Sequence, residues 1–231
     1  MTNSDDILSV KGLSVSYGEA KVLFGVALSV KPGQIVACVG RNGAGKTTLL
    51  KSIAGFLSPL SGSVMSGQVD LVGRKSYEVA KMGIKYVPQD KKVFSDLTVR
   101  DNLELGSYAT KDYNWDRVTG YFPKLRQLMH RKAGYLSGGE RQMLMIGRAM
   151  LGRPKVLLID EPSEGLAPSI VAHLKHVFQE LSKDTALVIV EQNLPLVCAL
   201  SSRVYAMKEG RIVAELADRD SIRTDVCERY L

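Results

Sequence analysis

An α/β core of buried, mostly parallel strands is the fold this sequence predicts, and three observations predict it. Short continuous apolar runs recur at Ile35 to Val39, Ile84 to Val87, Val156 to Ile159 and Leu187 to Val190, the pattern of strands covered on both faces. Sequence able to form helices separates them. The first run feeds a glycine-rich loop and then a helical pattern through Leu49, Leu50 and Ile53, so strand, loop and helix follow one another as in a doubly wound sheet.

The remaining elements follow in chain order. Alternation of apolar residues at Leu8, Val10, Leu13, Val15 and Tyr17, and again at Val26, Leu28 and Val30 before Lys31-Pro32-Gly33, predicts an N-terminal antiparallel β segment. Between about Thr98 and Arg153 the period becomes helical, with Thr98 as N-cap and Asp101 three residues later. We read residues 98–153 as an inserted helical subdomain. Val204 to Met207 and Arg211 to Glu215 around Glu209-Gly210 predict a closing hairpin.

Composition narrows the class. With 231 residues, 45% hydrophobic and 24% charged, the chain can bury a core without staples. Its three cysteines, Cys38, Cys198 and Cys227, lie far apart in no disulfide or zinc spacing, which points to a reducing, cytosolic setting. The formal charge of +7 is scattered, without the basic and aromatic interleaving of an RNA-binding surface, so no nucleic-acid partner is expected. Met1 to Asp6 is polar and acidic, unlike a secretory leader. No apolar stretch approaches the length of about 18 residues that a membrane-spanning helix needs.

Gly40-Arg41-Asn42-Gly43-Ala44-Gly45-Lys46-Thr47-Thr48 fits the phosphate-binding pattern GxxxxGK[ST] and stands where its mechanism requires, after a buried strand and at a helix start. Glycines at 40, 43 and 45 let backbone N–H groups converge on phosphate oxygens, while the helix N-terminus adds its dipole. Lys46 then reaches the β and γ phosphates, and the Thr47 hydroxyl ligates Mg²⁺. Val156 to Ile159 ends in Asp160-Glu161, at the strand end where an open α/β sheet places its chemistry. There Asp160 is expected to hold Mg²⁺, directly or through water, and Glu161 to orient and polarise the attacking water. Ser137-Gly138-Gly139 opens another helix, with Ser137 as N-cap and backbone N–H groups exposed for a phosphate.

Weaker candidates are read as structural. His173 and His176 lie three apart on a helical stretch without a third ligand. Cys38 is read as a small core residue and Trp115 as a packing residue.

The P-loop, Leu136-Ser137-Gly138-Gly139-Glu140 and Leu157-Leu158-Ile159-Asp160-Glu161-Pro162, in that order, resemble the nucleotide-binding domain of ABC transporters over essentially the whole chain. The resemblance implies a P-loop NTPase core and a single domain spanning 1–231, with ATP and Mg²⁺ as cofactors. It also assigns Tyr17 to stacking on adenine and Gln89 to a loop that senses Mg²⁺ and the membrane partner. Two ATP molecules are expected between two subunits, each held by one P-loop and the other subunit's Ser137-Gly138-Gly139. The partners it implies are integral-membrane permease subunits, a second ABC ATPase subunit in a homo- or heterodimer, and indirectly a solute-binding protein. The location it implies is cytoplasmic, peripheral on the inner face of the membrane.

Two positions depart from that family's common pattern: Gln192 stands where a histidine is usual, and Ala167 where an aspartate is common. Gln192 can donate a hydrogen bond but cannot carry a proton. The segments Glu161 to Pro168 and Val190-Glu191-Gln192-Asn193 are similar to those of ATPases serving branched-chain amino acid importers and their urea or amide relatives. Arg141 to Leu144 and Glu228 to Leu231 are similar too. Gln89, however, stays glutamine where some of that group carry glutamate. An ATPase of a lipid or polysaccharide exporter shares the catalytic motifs. A soluble ABC-type ATPase acting on ribosomes or nucleic acid usually joins two cassettes, whereas one P-loop and one signature are present here.

Overall fold

The computed structural model describes residues 5–217 and 221–230; the polar N-terminal stretch begins, and Leu231 ends, outside them. An antiparallel sheet carries β1 (Leu8–Tyr17), β2 (Ala20–Val30), β4 (Ser61–Ser66) and β5 (Val69–Asp70) in the order β2-β1-β4-β5. A second sheet takes β3 (Ile35–Val39), β6 (Ile84–Val87), β7 (Val156–Asp160), β8 (Ala186–Val190), β9 (Arg203–Lys208) and β10 (Arg211–Leu216) in the order β10-β9-β3-β8-β7-β6. All its neighbours pair in parallel except the β9–β10 hairpin.

Each predicted apolar run is a strand of this second sheet, and the reason lies in its two covered faces. Along β7, Val156 and Leu158 enter one core while Leu157 and Ile159 enter the other. The first core lies between the two sheets and receives Leu49, Leu50 and Ile53 of α1 (Lys46–Ile53). On the opposite face pack α3 (Val99–Tyr108), α4 (Asp116–Tyr121), α5 (Pro123–Gln127), α6 (Gly138–Met150) and α7 (Pro168–Leu181). A smaller cluster joins Ala37 and Val39 to α8 (Leu194–Leu200) and α9 (Thr224–Cys227).

The helices of 98–153 therefore share their apolar faces with Val87, Leu157 and Ile159 of the sheet in one continuous core. Both capping predictions correspond to observed bonds. Asp101 N donates to Thr98 Oγ1 at 3.1 Å while Thr98 N donates to Asp101 Oδ2 at 3.0 Å. Glu140 N likewise donates to Ser137 Oγ at 3.3 Å and Ser137 N to Glu140 Oε2 at 2.9 Å, so each helix start satisfies two orphan donors reciprocally.

Sequence reading missed β4, β5 and α2 (Ser76–Lys81). Ser61–Ser66 buries only Val64, opposite Val10 of β1, so the strand is held by a ladder to its neighbour and lacks an apolar pattern of its own. His173 Nε2 sits 2.8 Å from the Tyr121 carbonyl oxygen. No group of three or more potential ligands occurs among the described residues. Trp115 donates its indole N–H to Ser107 Oγ at 2.9 Å and packs on the helical core, as expected.

One glycine sets how closely α6 packs. A Cβ on Gly147 would lie 2.7 Å from Val118 Cγ1, a stiff β-branched side chain on α4. Alanine gains roughly 1 kcal/mol of helix propensity over glycine, but overpacking costs about 1–3 kcal/mol. We expect Gly147→Ala to lower the urea-unfolding free energy by about 1 kcal/mol.

Candidate functional site

The parallel register places the ends of three strands side by side, Cys38 beside Val190 and Val190 beside Asp160. The loops that leave these ends build the site. After Val39 the chain turns at Gly40, where a Cβ would fall on the Met207 carbonyl oxygen, so only glycine fits. It re-enters α1 through Gly45, whose φ of 100° is left-handed. The first helical N–H groups have no intrahelical acceptor and face the loop's concavity. Val22, residues 42–48, Gln89 and Glu161 line a cleft of about 290 Å³ there.

Lys46 is buried at the floor. Its ammonium donates to the carbonyl oxygens of Gly40 at 2.8 Å and Arg41 at 3.2 Å, and lies 3.6 Å from Glu161 Oε1. A cation buried beside carbonyl dipoles and a row of N–H groups is arranged for a polyanion.

Beyond Lys46, Thr47 Oγ1 donates to Asp160 Oδ1 at 3.2 Å, and the Tyr86 hydroxyl donates to Asp160 Oδ2 at 3.0 Å. Burial raises the Asp160 pKa, opposed by the two hydroxyl bonds and reinforced by the neighbouring Glu161 charge. Burial, followed by the Asp160 charge, raises that of Tyr86. Thr47 and Asp160 thus present two hard oxygens at one edge of the cleft, a donor pair whose chemistry fits a cation such as Mg²⁺.

Glu161 follows in the left-handed region, with φ 44°, an uncommon conformation for a side chain of this size and one that concentrates at functional positions. Its backbone N–H donates to Val190 O at 2.8 Å, extending the sheet ladder by one bond. Two amides fix its carboxylate: Gln192 Nε2 donates to Oε1 at 2.8 Å and Gln89 Nε2 to Oε2 at 3.1 Å. Gln192 also donates to Asn42 Oδ1 at 2.8 Å, and Gln89 to Glu164 Oε2 at 2.8 Å. A carboxylate gripped at both oxygens, beside a buried ammonium, keeps one orientation toward the phosphate cradle.

Residues Asn42, Gly43, Ala44, Gly45, Lys46, Thr47, Thr48, Gln89, Asp160, Glu161 and Gln192 thus meet at one place. Other predicted residues are placed differently. Arg41 meets the site through its carbonyl, which accepts from Lys46, and it lines an adjoining cavity of about 640 Å³ with Asn42, Lys208 and Arg229. Tyr17 is exposed at the end of β1, not a core tyrosine, and it is Val22 across the turn that lines the cleft. Ser137, Gly138 and Gly139 lie at the N-terminus of α6 and contribute nothing to this chain's cleft.

Tyr86 and Glu191, like Val22, escaped the sequence reading. Tyr86 reaches Asp160 only because β6 is the neighbour of β7, an adjacency that no local pattern reveals. Glu191 carried a visible signal, a carboxylate directly after an apolar strand, as in Ile159-Asp160-Glu161. It is buried and accepts three backbone N–H bonds.

Residues 23–164 match the family model described as ABC transporter. A high-affinity branched-chain amino acid transport ATP-binding protein of Pseudomonas aeruginosa, BraG, is 42% identical over 212 residues, spanning 90% of this chain and 91% of its own. A probable branched-chain amino acid transport ATP-binding protein of Archaeoglobus fulgidus, LivF, is 39% identical, over 87% of each chain. The crystal structure of a nucleotide-free ATP-binding cassette from an ABC transporter aligns with a TM-score of 0.86 at 29% identity, covering 98% of this chain and 99% of the other. No helix among the described residues is long and apolar enough to cross a membrane.

The contacts around Asp160 yield a stability prediction. Removing the hydroxyl in Tyr86→Phe leaves a buried carboxylate oxygen short of a donor, and should cost about 1–3 kcal/mol in urea unfolding at neutral pH. Asp160→Asn, which removes the buried charge, should offset most of that loss when the two are combined. Burial pushes the Cys38 thiol up to about 12, so a thiol reagent at pH 8 should leave Cys38 unmodified in the native protein and label it once the protein is unfolded.

Proposed function

The chain belongs to the ABC transporter family, and from that premise we propose that it is the Mg²⁺-dependent ATPase subunit of an importer, taking up branched-chain or related amino acids through a separate permease. The observation that carries this reading is the Glu161 carboxylate, held at the mouth of the phosphate cradle by Gln89 and Gln192 and 3.6 Å from Lys46. The names of the relatives from Pseudomonas and Archaeoglobus support the solute class.

Hydrolysis divides among this chain's residues as follows. Lys46 exchanges its two loop carbonyls for the β and γ phosphate oxygens, which are stronger partners because they are charged. Backbone N–H groups of the loop and the start of α1 spread over the same phosphates. Thr47 and Asp160 would hold Mg²⁺, which supplies charge neutralisation on the transferred group. Glu161 accepts a proton from water at a carboxylate oxygen as that water attacks the γ phosphorus, and the bond to the β-bridging oxygen breaks to give ADP and phosphate. Gln192 orients Glu161 by donating an N–H, and takes no proton itself.

Tyr17, exposed at the end of β1, is assigned to the adenine, with Val22 of the cleft wall on the neighbouring strand β2. Ser137-Gly138-Gly139, of which Ser137 and Gly138 are exposed and none lines this chain's own cleft, is assigned to the nucleotide of a second ABC ATPase subunit. Residues 98–153 and the loop after Gln89 face the permease in this reading, with the subunit peripheral on the inner face of the membrane and a solute-binding protein engaged indirectly.

Glu161→Gln should lower kcat by about a hundredfold or more while leaving the dissociation constant for ATP within about twofold. It should also accumulate a dimer in ATP and Mg²⁺, read by size-exclusion chromatography with light scattering. Tagged Glu161→Gln protein, with ATP and Mg²⁺, should recover polytopic membrane proteins from detergent-solubilised host membranes; ribosomes without membrane protein would reject the transporter reading. Gln192→His tests the departure at that position: kcat should rise and acquire a pH dependence near the histidine range of about 6–7.

A further inference from the structure

Glu191 is a carboxylate directly after β8, an inner strand of the sheet, and is 3% exposed. Its Oε1 accepts from Ser163 N at 2.9 Å, and its Oε2 accepts from Gln192 N at 2.7 Å and Asn193 N at 2.9 Å. All three donors are backbone groups, so the charge is met by peptide dipoles. They belong to two separate loops. Ser163 stands two residues after Glu161, and Gln192 is the residue whose side chain grips Glu161 Oε1.

A hydroxyl or amide at this position could accept for one loop but not for both, because only a carboxylate offers two acceptor oxygens and no donor. Burying such a charge is costly unless each oxygen is satisfied, and here the satisfaction depends on both loops keeping their shape together. Asn193 extends the connection, since its Oδ1 accepts from Leu196 N at 3.2 Å and caps α8. The backbone N–H of Glu191 is itself anchored to Cys38 O of β3 at 3.2 Å.

We propose that Glu191 is a positioning residue for ATP hydrolysis, a buried link that joins the Ser163 loop to the Gln192 turn and so fixes the Glu161 carboxylate from both sides. Glu191 touches no substrate and acts through Gln192 and the Ser163 loop. The kinetic part of this inference rests on the ATPase reading above; the link between the loops does not.

The test uses the full chain with Glu191→Ala and Glu191→Gln, alone and combined with Gln192→Ala. Loss of a buried charged acceptor should lower kcat about tenfold or more, with the dissociation constant of a fluorescent ATP analogue within about twofold. In the Gln192→Ala background, Glu191→Ala should lower kcat by clearly less than in the wild type, because part of its route is already gone. The melting temperature should fall equally in both backgrounds, so a purely structural role would leave the kcat effects multiplicative, and that outcome overturns the proposal.

Hydrogen exchange reads the link without hydrolysis. Glu191→Ala should speed exchange in peptides containing Ser163 and in those containing Gln192 and Asn193 together; acceleration in only one of them overturns the link. Glu191→Gln keeps one acceptor oxygen, so it should fold, loosen one loop and lower kcat, and an unchanged kcat overturns the role. If the wild-type protein does not hydrolyse ATP, the ATPase reading fails, and the exchange pattern decides the link alone.

Discussion

The molecule depends on the alignment of three parallel strand ends. Cys38, Val190 and Asp160 lie in register, and each strand leaves the sheet into a loop that carries chemistry. β3 leads to the P-loop, β7 to Glu161 and β8 to Glu191 and Gln192. The ladder sets their separation, so no loop has to find its position by itself. That is why side chains as distant in sequence as Asn42 and Gln192, or Thr47 and Asp160, meet within hydrogen-bond reach. The crevice at the carboxyl ends of parallel strands is where such folds collect ligands.

Concentrating charge in this row has an energetic cost that the surroundings manage locally. Asp160, Glu161 and Glu191 are buried carboxylates at the ends of the paired strands β7 and β8, and a buried charge is tolerable only when it is paired or fully hydrogen-bonded. Each is handled differently. Hydroxyls meet Asp160, side-chain amides and an ammonium meet Glu161, and peptide N–H groups meet Glu191. Among the described residues Lys46 supplies the one cation in salt-bridge reach of these carboxylates, and it is held by carbonyls that a phosphate can outbid. The left-handed backbone at Glu161 adds strain at the same spot.

Much of this was legible in the sequence because it rests on local rules. Continuous apolar runs marked the central strands, and Thr98 with Asp101, and Ser137 as N-cap, marked helix starts whose capping bonds the structure contains. The P-loop and the Asp160-Glu161 pair were readable because their chemistry demands particular residue types at fixed spacing. Contacts made across strands were not. Tyr86 became a partner of Asp160 through the order of the sheet, and β4 formed because Val10 and Val64 share a register position. Val22, which lines the cleft wall, lies beyond a turn from Tyr17 whose path alternation does not specify.

The alternation of side chains within the central strands carries a consequence for how this chain can diverge. Val156 and Leu158 belong to one core, Leu157 and Ile159 to the other, and Asp160 stands next in the same count. Inserting or deleting one residue in this strand would exchange the two sets of faces and turn the carboxylates away from Thr47, so both cores and the chemistry would be lost at once. Substitution can therefore explore these strands, but changes of length cannot. Changes of length belong instead in segments such as the polar stretch around Asp112 to Asn114 or the turn at Gly67-Gln68, which lie outside the strands.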